Sequence, residues 1–175
     1  MHFHEKPNTF VTNVEIKVSN LQRSLKYYQE VIGFKVLTEE TTKATLTADG
    51  KTALLTIVQP KTVEEKTGLT TGLFHFALLL PTRPDLANII THFRQTGVHF
   101  GASDHDVSEA LYLNDPDNNG IEIYIDRPEE HWIWTADQVH MVTEPLNIPA
   151  ILAEATGEWN GLPTHTVMGH IHLSV

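Results

Sequence analysis

The chain has 175 residues, a formal net charge of −10, eleven histidines and no cysteine. That length suits one compact domain with a real core. The lack of thiols excludes a cysteine nucleophile, a thiolate zinc site and an iron–sulfur cluster, and the acidic balance argues against a nucleic-acid partner. No apolar run is long enough to span a bilayer, and the segment from Met1 to Pro7 has neither the basic start nor the apolar stretch of a signal peptide, so a cytoplasmic protein with no membrane partner is expected.

From Val11 to Val18 apolar and polar residues alternate, with Val14, Ile16 and Val18 on one face, which predicts a half-buried strand. Ser19 or Asn20 then caps a helix whose stripe is Leu21, Leu25, Tyr28 and Ile32, ended by Gly33. Three short strands follow, Phe34 to Glu39, Ala44 to Ala48 and Ala53 to Val58, with Asp49-Gly50 turning between the last two. Pro60 to Thr71 is polar and reads as a loop. The order then repeats: a strand from Gly72 to Leu80, a helix opened near Pro84 with Leu86, Ile89, Ile90 and Phe93 inward and Gly97 at its end, and strands Val98 to Ala102, Glu109 to Leu113 and Ile121 to Asp126. The dense turn signal Asp115-Pro116-Asp117-Asn118-Asn119-Gly120 separates the last two. Two βαβββ units, 11–58 and 72–126, are therefore predicted within 1–130. Aligning their leading strands sets Asn13 opposite His75.

Residues 131–167 read as a connector. All three tryptophans lie in 132–159, and Asn147-Ile148-Pro149 opens a short helix through Ala155. Met168 to Val175 then repeats the leading-strand pattern a third time, Ile171, Leu173 and Val175 on one face and His170 and His172 on the other. The expectation is a first strand of a second module that continues past residue 175; the plainer alternative is a strand that pairs with the edge of the existing sheet.

Paired βαβββ units curved into a cup resemble the vicinal oxygen chelate superfamily, which holds the glyoxalases, the bleomycin-resistance proteins and the type I extradiol dioxygenases. Val18 to Tyr28 with Ile32-Gly33-Phe34, Gly72-Leu73-Phe74-His75-Phe76-Ala77, Leu80-Pro81-Thr82-Arg83, and Gly101 through Tyr124 are most similar to the N-terminal module of the bacillus-type catechol 2,3-dioxygenases. The resemblance implies an α+β fold with a mixed sheet and helices outside. It also implies a second, C-terminal module as partner, and iron(II), with manganese or zinc as alternatives. The substrates would be a small aromatic diol and dioxygen.

Extradiol chemistry needs three protein ligands, two histidines and a carboxylate, so that open metal positions remain for diol and dioxygen. The family's ligand positions fall on Asn13, His75 and Glu122. Strand alternation independently aims His75 and Glu122 into the cup, with Tyr112 and Tyr124 beside them. Asn13 is the departure: an amide is a poor ligand where imidazole is preferred. This favours reading His75 and Glu122 as a vestigial hydrogen-bonded pair. His170, in Gly169-His170, matches the family's first ligand of a second-module site whose other ligands would lie beyond residue 175, and His172 shares its face as a substrate contact. On that reading the chain alone is inactive and a homo-oligomer is an open partner. Asp104 and His105 are assigned to holding their loop, and His2 and His4 to a terminus with at most adventitious metal.

Two other functions compete. A glyoxalase-like metal-dependent isomerase or thiol transferase needs a fourth ligand from the first unit's last strand, yet Ala53 to Val58 carries no carboxylate or histidine. A metal-free binding module of the bleomycin-resistance kind would need neither the connector nor the third leading strand.

Overall fold

The computed structural model describes residue 4, residues 6–63 and residues 71–175. His2 and residues 64–70 of the expected loop lie outside the described residues. The first unit runs β1 (Val14–Lys17), α1 (Leu21–Tyr27), β2 (Lys35–Glu39), β3 (Lys43–Thr47) and β4 (Leu55–Val58). Val14 and Ile16 are buried and Glu15 and Lys17 exposed, as the alternation predicts. Asn20 caps α1, its side-chain oxygen accepting from the Arg23 amide. The helix then widens into a π-type turn, Tyr28–Ile32, which Gly33 ends in the left-handed region.

The second unit repeats the plan as β5 (Gly72–Leu79), α2 (Arg83–Thr96), β6 (Gly101–Asp104), β7 (Ser108–Asn114) and β8 (Gly120–Asp126). Thr82 caps α2, and Gly97 closes it. The strand expected from Val98 starts later, at Gly101, because the Val98 amide is still engaged with the Phe93 carbonyl in the helix's closing turn. In each unit the first strand runs parallel to the last and the others are antiparallel. The first sheet has the order β1-β4-β3-β2, and β5-β8-β7-β6 repeats it. The fold is thus α+β with two mixed sheets, as expected.

The connector is more ordered than its composition suggests. A hairpin of β9 (Trp134–Thr135) and β10 (Gln138–Val139) precedes β11 (Glu144–Pro145), which pairs with β6; α3 (Ile148–Leu152) follows. β12 (Val167–Ser174) then lies antiparallel against β5, giving a six-stranded sheet of order β11-β6-β7-β8-β5-β12. β12 thus extends an edge of the second unit's sheet. Its outward residues Ile171, Leu173 and Val175 stay exposed.

One continuous apolar core, including Leu21, Tyr28, Leu55, Phe76, Phe93 and Ile123, spans both units. A buried polar link reinforces it. The Tyr28 hydroxyl donates to Asp115 Oδ2 at 2.8 Å, while Asp115 Oδ1 accepts from the Asp117 and Asn119 amides, each at 2.8 Å. The first unit's helix is thereby fastened to the β7–β8 turn of the second. A second link, on the face away from the cup, is the buried Glu109 carboxylate, which accepts from Arg83 Nε at 2.6 Å and Arg127 Nη2 at 3.2 Å. Arg83 also pairs with Glu154, just beyond α3.

Tyr28→Phe removes a donor from a buried carboxylate without opening a cavity. It is expected to lower unfolding free energy by about 1.5–3 kcal/mol. Urea denaturation checks this, as a shifted midpoint with unchanged slope.

Candidate metal centre

Three strands bring three ligand-type atoms together. His75 on β5 and Glu122 on β8 both point into the cup, and His75 Nε2 lies 2.8 Å from Glu122 Oε2. His170 on β12 completes the group, its Nε2 3.1 Å from the same Glu122 oxygen and 3.3 Å from His75 Nε2. His75 and Glu122 are buried, whereas the His170 side chain is 45% exposed.

The reach of His170 depends on a local irregularity. Met168 pairs with Leu78 and Ile171 with Phe76, so Gly169 and His170 together oppose the single residue Ala77. This is a β-bulge, a device that re-aims a side chain. It keeps Met168 and Ile171 on one face of the sheet while turning His170 over Ala77. Ala77 is itself register partner to Glu122, and its small methyl leaves the imidazole room to reach the carboxylate. Gly169 is required at the bulge: a Cβ there would fall inside van der Waals distance of the Tyr124 hydroxyl and ring. Gly120 plays the same part on β8, where a Cβ would collide with the Phe74 carbonyl.

Electrostatics suits a carboxylate held between two imidazoles. Burial alone would raise the Glu122 carboxyl, but hydrogen bonds and charge from His170 and His75 outweigh it and bring it down to about 2. Glu122 is thus ionised throughout the neutral range. Because its folded value lies below the ordinary 4.5, the arrangement favours the fold above that pH and is lost as pH falls toward 2.

The donor set fits a divalent ion. Three ligand atoms each about 2.1 Å from one ion, on one face of an octahedron, sit about 3 Å apart. The separations here are 2.8, 3.1 and 3.3 Å. Two histidines and one carboxylate with the opposite side free is the pattern that suits non-haem iron(II) oxygen chemistry. The His75 Nδ1 is buried with no partner among the described residues. Ring packing against His172, at 4.9 Å between centroids, and against Tyr112, at 5.8 Å, holds its orientation instead.

The triad opens on a cavity of about 890 Å³ whose apolar walls include Phe74, Tyr112, Leu113, Ile121 and Met141. Beside the triad stands a second polar pair. His105 Nδ1 lies 2.7 Å from the Val142 carbonyl, which can only accept, so that nitrogen carries the proton. In the neutral ring Nε2 therefore accepts from the Tyr112 hydroxyl, 2.8 Å away. Burial, then the charge and hydrogen bond of Glu122, raise the Tyr112 phenol above its ordinary value and keep it protonated.

The sequence matches a family model, the glyoxalase/bleomycin resistance protein/dioxygenase superfamily, over residues 11–123. The chain belongs to that superfamily. A catechol-2,3-dioxygenase of Bacillus subtilis (strain 168) is 43% identical over 171 residues, covering 96% of this chain and 60% of that protein. A biphenyl-2,3-diol 1,2-dioxygenase 3 of Rhodococcus globerulus is 31% identical over 121 residues, covering 66% of this chain and 64% of the relative. The chain thus spans about 60% of the length of these curated relatives. Among solved structures, a glyoxylase/bleomycin resistance protein/dioxygenase domain from Frankia sp. EAN1pec superposes with a TM-score of 0.58 at 21% identity, over 70% of this chain and 96% of that one, which shows the shared fold.

Asn13 is exposed, outside β1, and its amide approaches Thr56 Oγ1 at 3.5 Å; it takes no part in the cluster. His75 and Glu122 are hydrogen-bonded as anticipated, but they are not left as a pair. The structure sets His170, whose expected partners lie beyond residue 175, against His75 and Glu122. Two physical facts hid this: strand pairing between distant segments is non-local, and a bulge is invisible to strict alternation. Tyr112 and His172 line the cavity. Tyr124 stands behind the site, buried, its ring 5.3 Å from that of His170. Asp104 does hold its loop, pairing with Arg127 and accepting from the Asp106 amide. His105 does more than that, because it reaches Tyr112. His4 approaches the Gly169 carbonyl at 3.0 Å and is no part of the triad.

Gly169→Ala is expected to lower stability by about 1–3 kcal/mol through overpacking against Tyr124. Gly157→Ala, where a Cβ meets nothing within 4 Å, is expected to change it by less than about 0.5 kcal/mol. Thermal denaturation of the two variants side by side checks the contrast.

Proposed function

We propose that this chain carries the metal centre of an extradiol ring-cleaving dioxygenase. His75, Glu122 and His170 would hold a divalent ion, iron(II) on the grounds of the donor set, and the cavity beside them would receive a catechol-like diol. The observation that carries the reading is the convergence of two imidazoles and one carboxylate within 3.3 Å on a cavity of about 890 Å³. The names of the relatives, a catechol dioxygenase and a biphenyl-diol dioxygenase, support it.

The ion would supply open coordination positions at which diol and dioxygen meet. The chain's own residues then have distinct tasks. Glu122, ionised at neutral pH, offsets part of the ion's charge. The His105 Nε2 lone pair, reached through the Tyr112 hydroxyl, receives the proton that a diol gives up on binding; Tyr112 donates to His105 as it accepts from the substrate. The apolar walls align the ring and limit water around it. The net reaction breaks a ring carbon–carbon bond beside one hydroxyl and places both atoms of dioxygen in the product.

The expected inactivity of the chain alone rests on His170 having its partners beyond residue 175. With His75 and Glu122 beside it, that reason no longer holds. Purified chain loaded anaerobically with iron(II) and mixed with catechol and dioxygen is expected to consume one dioxygen per catechol. Tyr112→Phe is expected to keep its iron and lose about 10²-fold in kcat. Iron-loaded wild-type chain that consumes no oxygen with catechol would contradict the proposal.

A further inference from the structure

The bulge that aims His170 is braced from the far end of the chain, by a contact whose role rests on the metal-centre reading above. His4 Nε2 lies 3.0 Å from the Gly169 carbonyl, 165 residues away in sequence. A carbonyl can only accept, so Nε2 carries the proton and donates. The His4 ring sits edge-on to Phe10, with centroids 6.3 Å apart and planes at 67°. Asp126, at the end of β8, lies within electrostatic reach of both His4 and His170. His4 is not itself among the clustered donor atoms of His75, Glu122 and His170.

What this bond holds is the plane of one peptide. The Gly169 carbonyl and the His170 nitrogen belong to the same rigid unit. Fixing that oxygen fixes the direction in which the His170 Cα, and with it the imidazole, leaves the strand. The same peptide is the soft point of β12. Tyr124 fills the space that a Cβ at Gly169 would take, and the glycine that this close approach demands is also the residue whose backbone turns most freely. Gly169 and His170 together oppose Ala77, so the ladder pairs at Met168 and Ile171 do not set the torsions between them one by one. Packing does not supply the missing restraint either. His75 is buried, whereas the His170 side chain is 45% exposed. A ligand group has to be held within about 0.5 Å of its working position, and for His170 that precision has to come from the backbone.

We infer that His4 is a positioning residue for the metal centre: by donating to the Gly169 carbonyl it holds the bulged peptide so that His170 Nε2 meets Glu122 and His75.

The test is competition for zinc(II) between a chromophoric chelator and the wild-type chain, His4→Phe or His4→Gln, with the urea midpoint of each metal-free chain measured alongside. His4→Phe keeps a ring against Phe10 and removes the donor. His4→Gln places an amide N–H at nearly the reach of Nε2, and an amide is a poor metal ligand. One zinc per chain is expected in all three. Affinity is expected to fall at least about tenfold in His4→Phe and to stay within about threefold of wild type in His4→Gln. Wild-type affinity in His4→Phe, with or without a lowered urea midpoint, would mark the contact as structural only and overturn the inference while leaving the metal centre standing. Equal weakening in both variants would overturn it too, by assigning the effect to the ring and not to its N–H. A wild-type chain that takes up no zinc would instead overturn the metal-centre reading, and the inference with it.

Discussion

The antiparallel pairing of β12 with β5 is the contact on which the candidate site depends. His75 and Glu122 sit on neighbouring parallel strands of one βαβββ unit and would face each other in any such unit. What makes them part of a three-membered candidate ligand set is a strand that arrives after a connector of more than thirty residues and adds its own histidine. The ladder fixes the strand's position, and the bulge at Gly169 and His170 fixes its aim. Neighbouring small residues make the approach feasible: Ala77 under the imidazole, Gly169 against Tyr124, and Gly120 against Phe74. Larger side chains at any of the three would separate strands that the site needs close.

Charge is divided across the two faces of the same sheet. On the cup face a single carboxylate meets two imidazoles, an arrangement that gains from a cation and leaves one side free. On the opposite face Glu109 is closed by Arg83 and Arg127, and the arginines are closed in turn by Glu154 and Asp104. That second network ties the connector to the unit and holds Arg83 and Arg127 on the face away from the cavity.

Much of the fold was legible in the sequence. The period-two alternation of Val14 to Val18, the helical stripes of Leu21 to Ile32 and Leu86 to Phe93, and the turn residues at 115–120 describe local physics that the structure repeats. The internal repeat was legible too, since both units show the same parallel pairing of first and last strands. The site was only half legible. His75 and Glu122 followed from alternation and the repeat, because each is a polar residue in an otherwise apolar strand. The sequence marks His170 as a candidate ligand with expected partners beyond residue 175, while the structure sets it beside His75 and Glu122. A strand's partner is decided by which sheet edge it can reach, and no local pattern reports that. The bulge was equally hidden: strict alternation places Met168 on the face of His170, whereas Met168 is buried in the core with Leu78.

The claim that the ligand set is completed by β12 and not by β1 is tested most directly by anaerobic titration of iron(II) into wild-type chain, His170→Ala and Asn13→Ala. The account predicts one ion per wild-type chain, affinity weakened at least about 100-fold in His170→Ala, and affinity unchanged in Asn13→Ala. Undiminished iron binding in His170→Ala, or binding lost in Asn13→Ala instead, would contradict it.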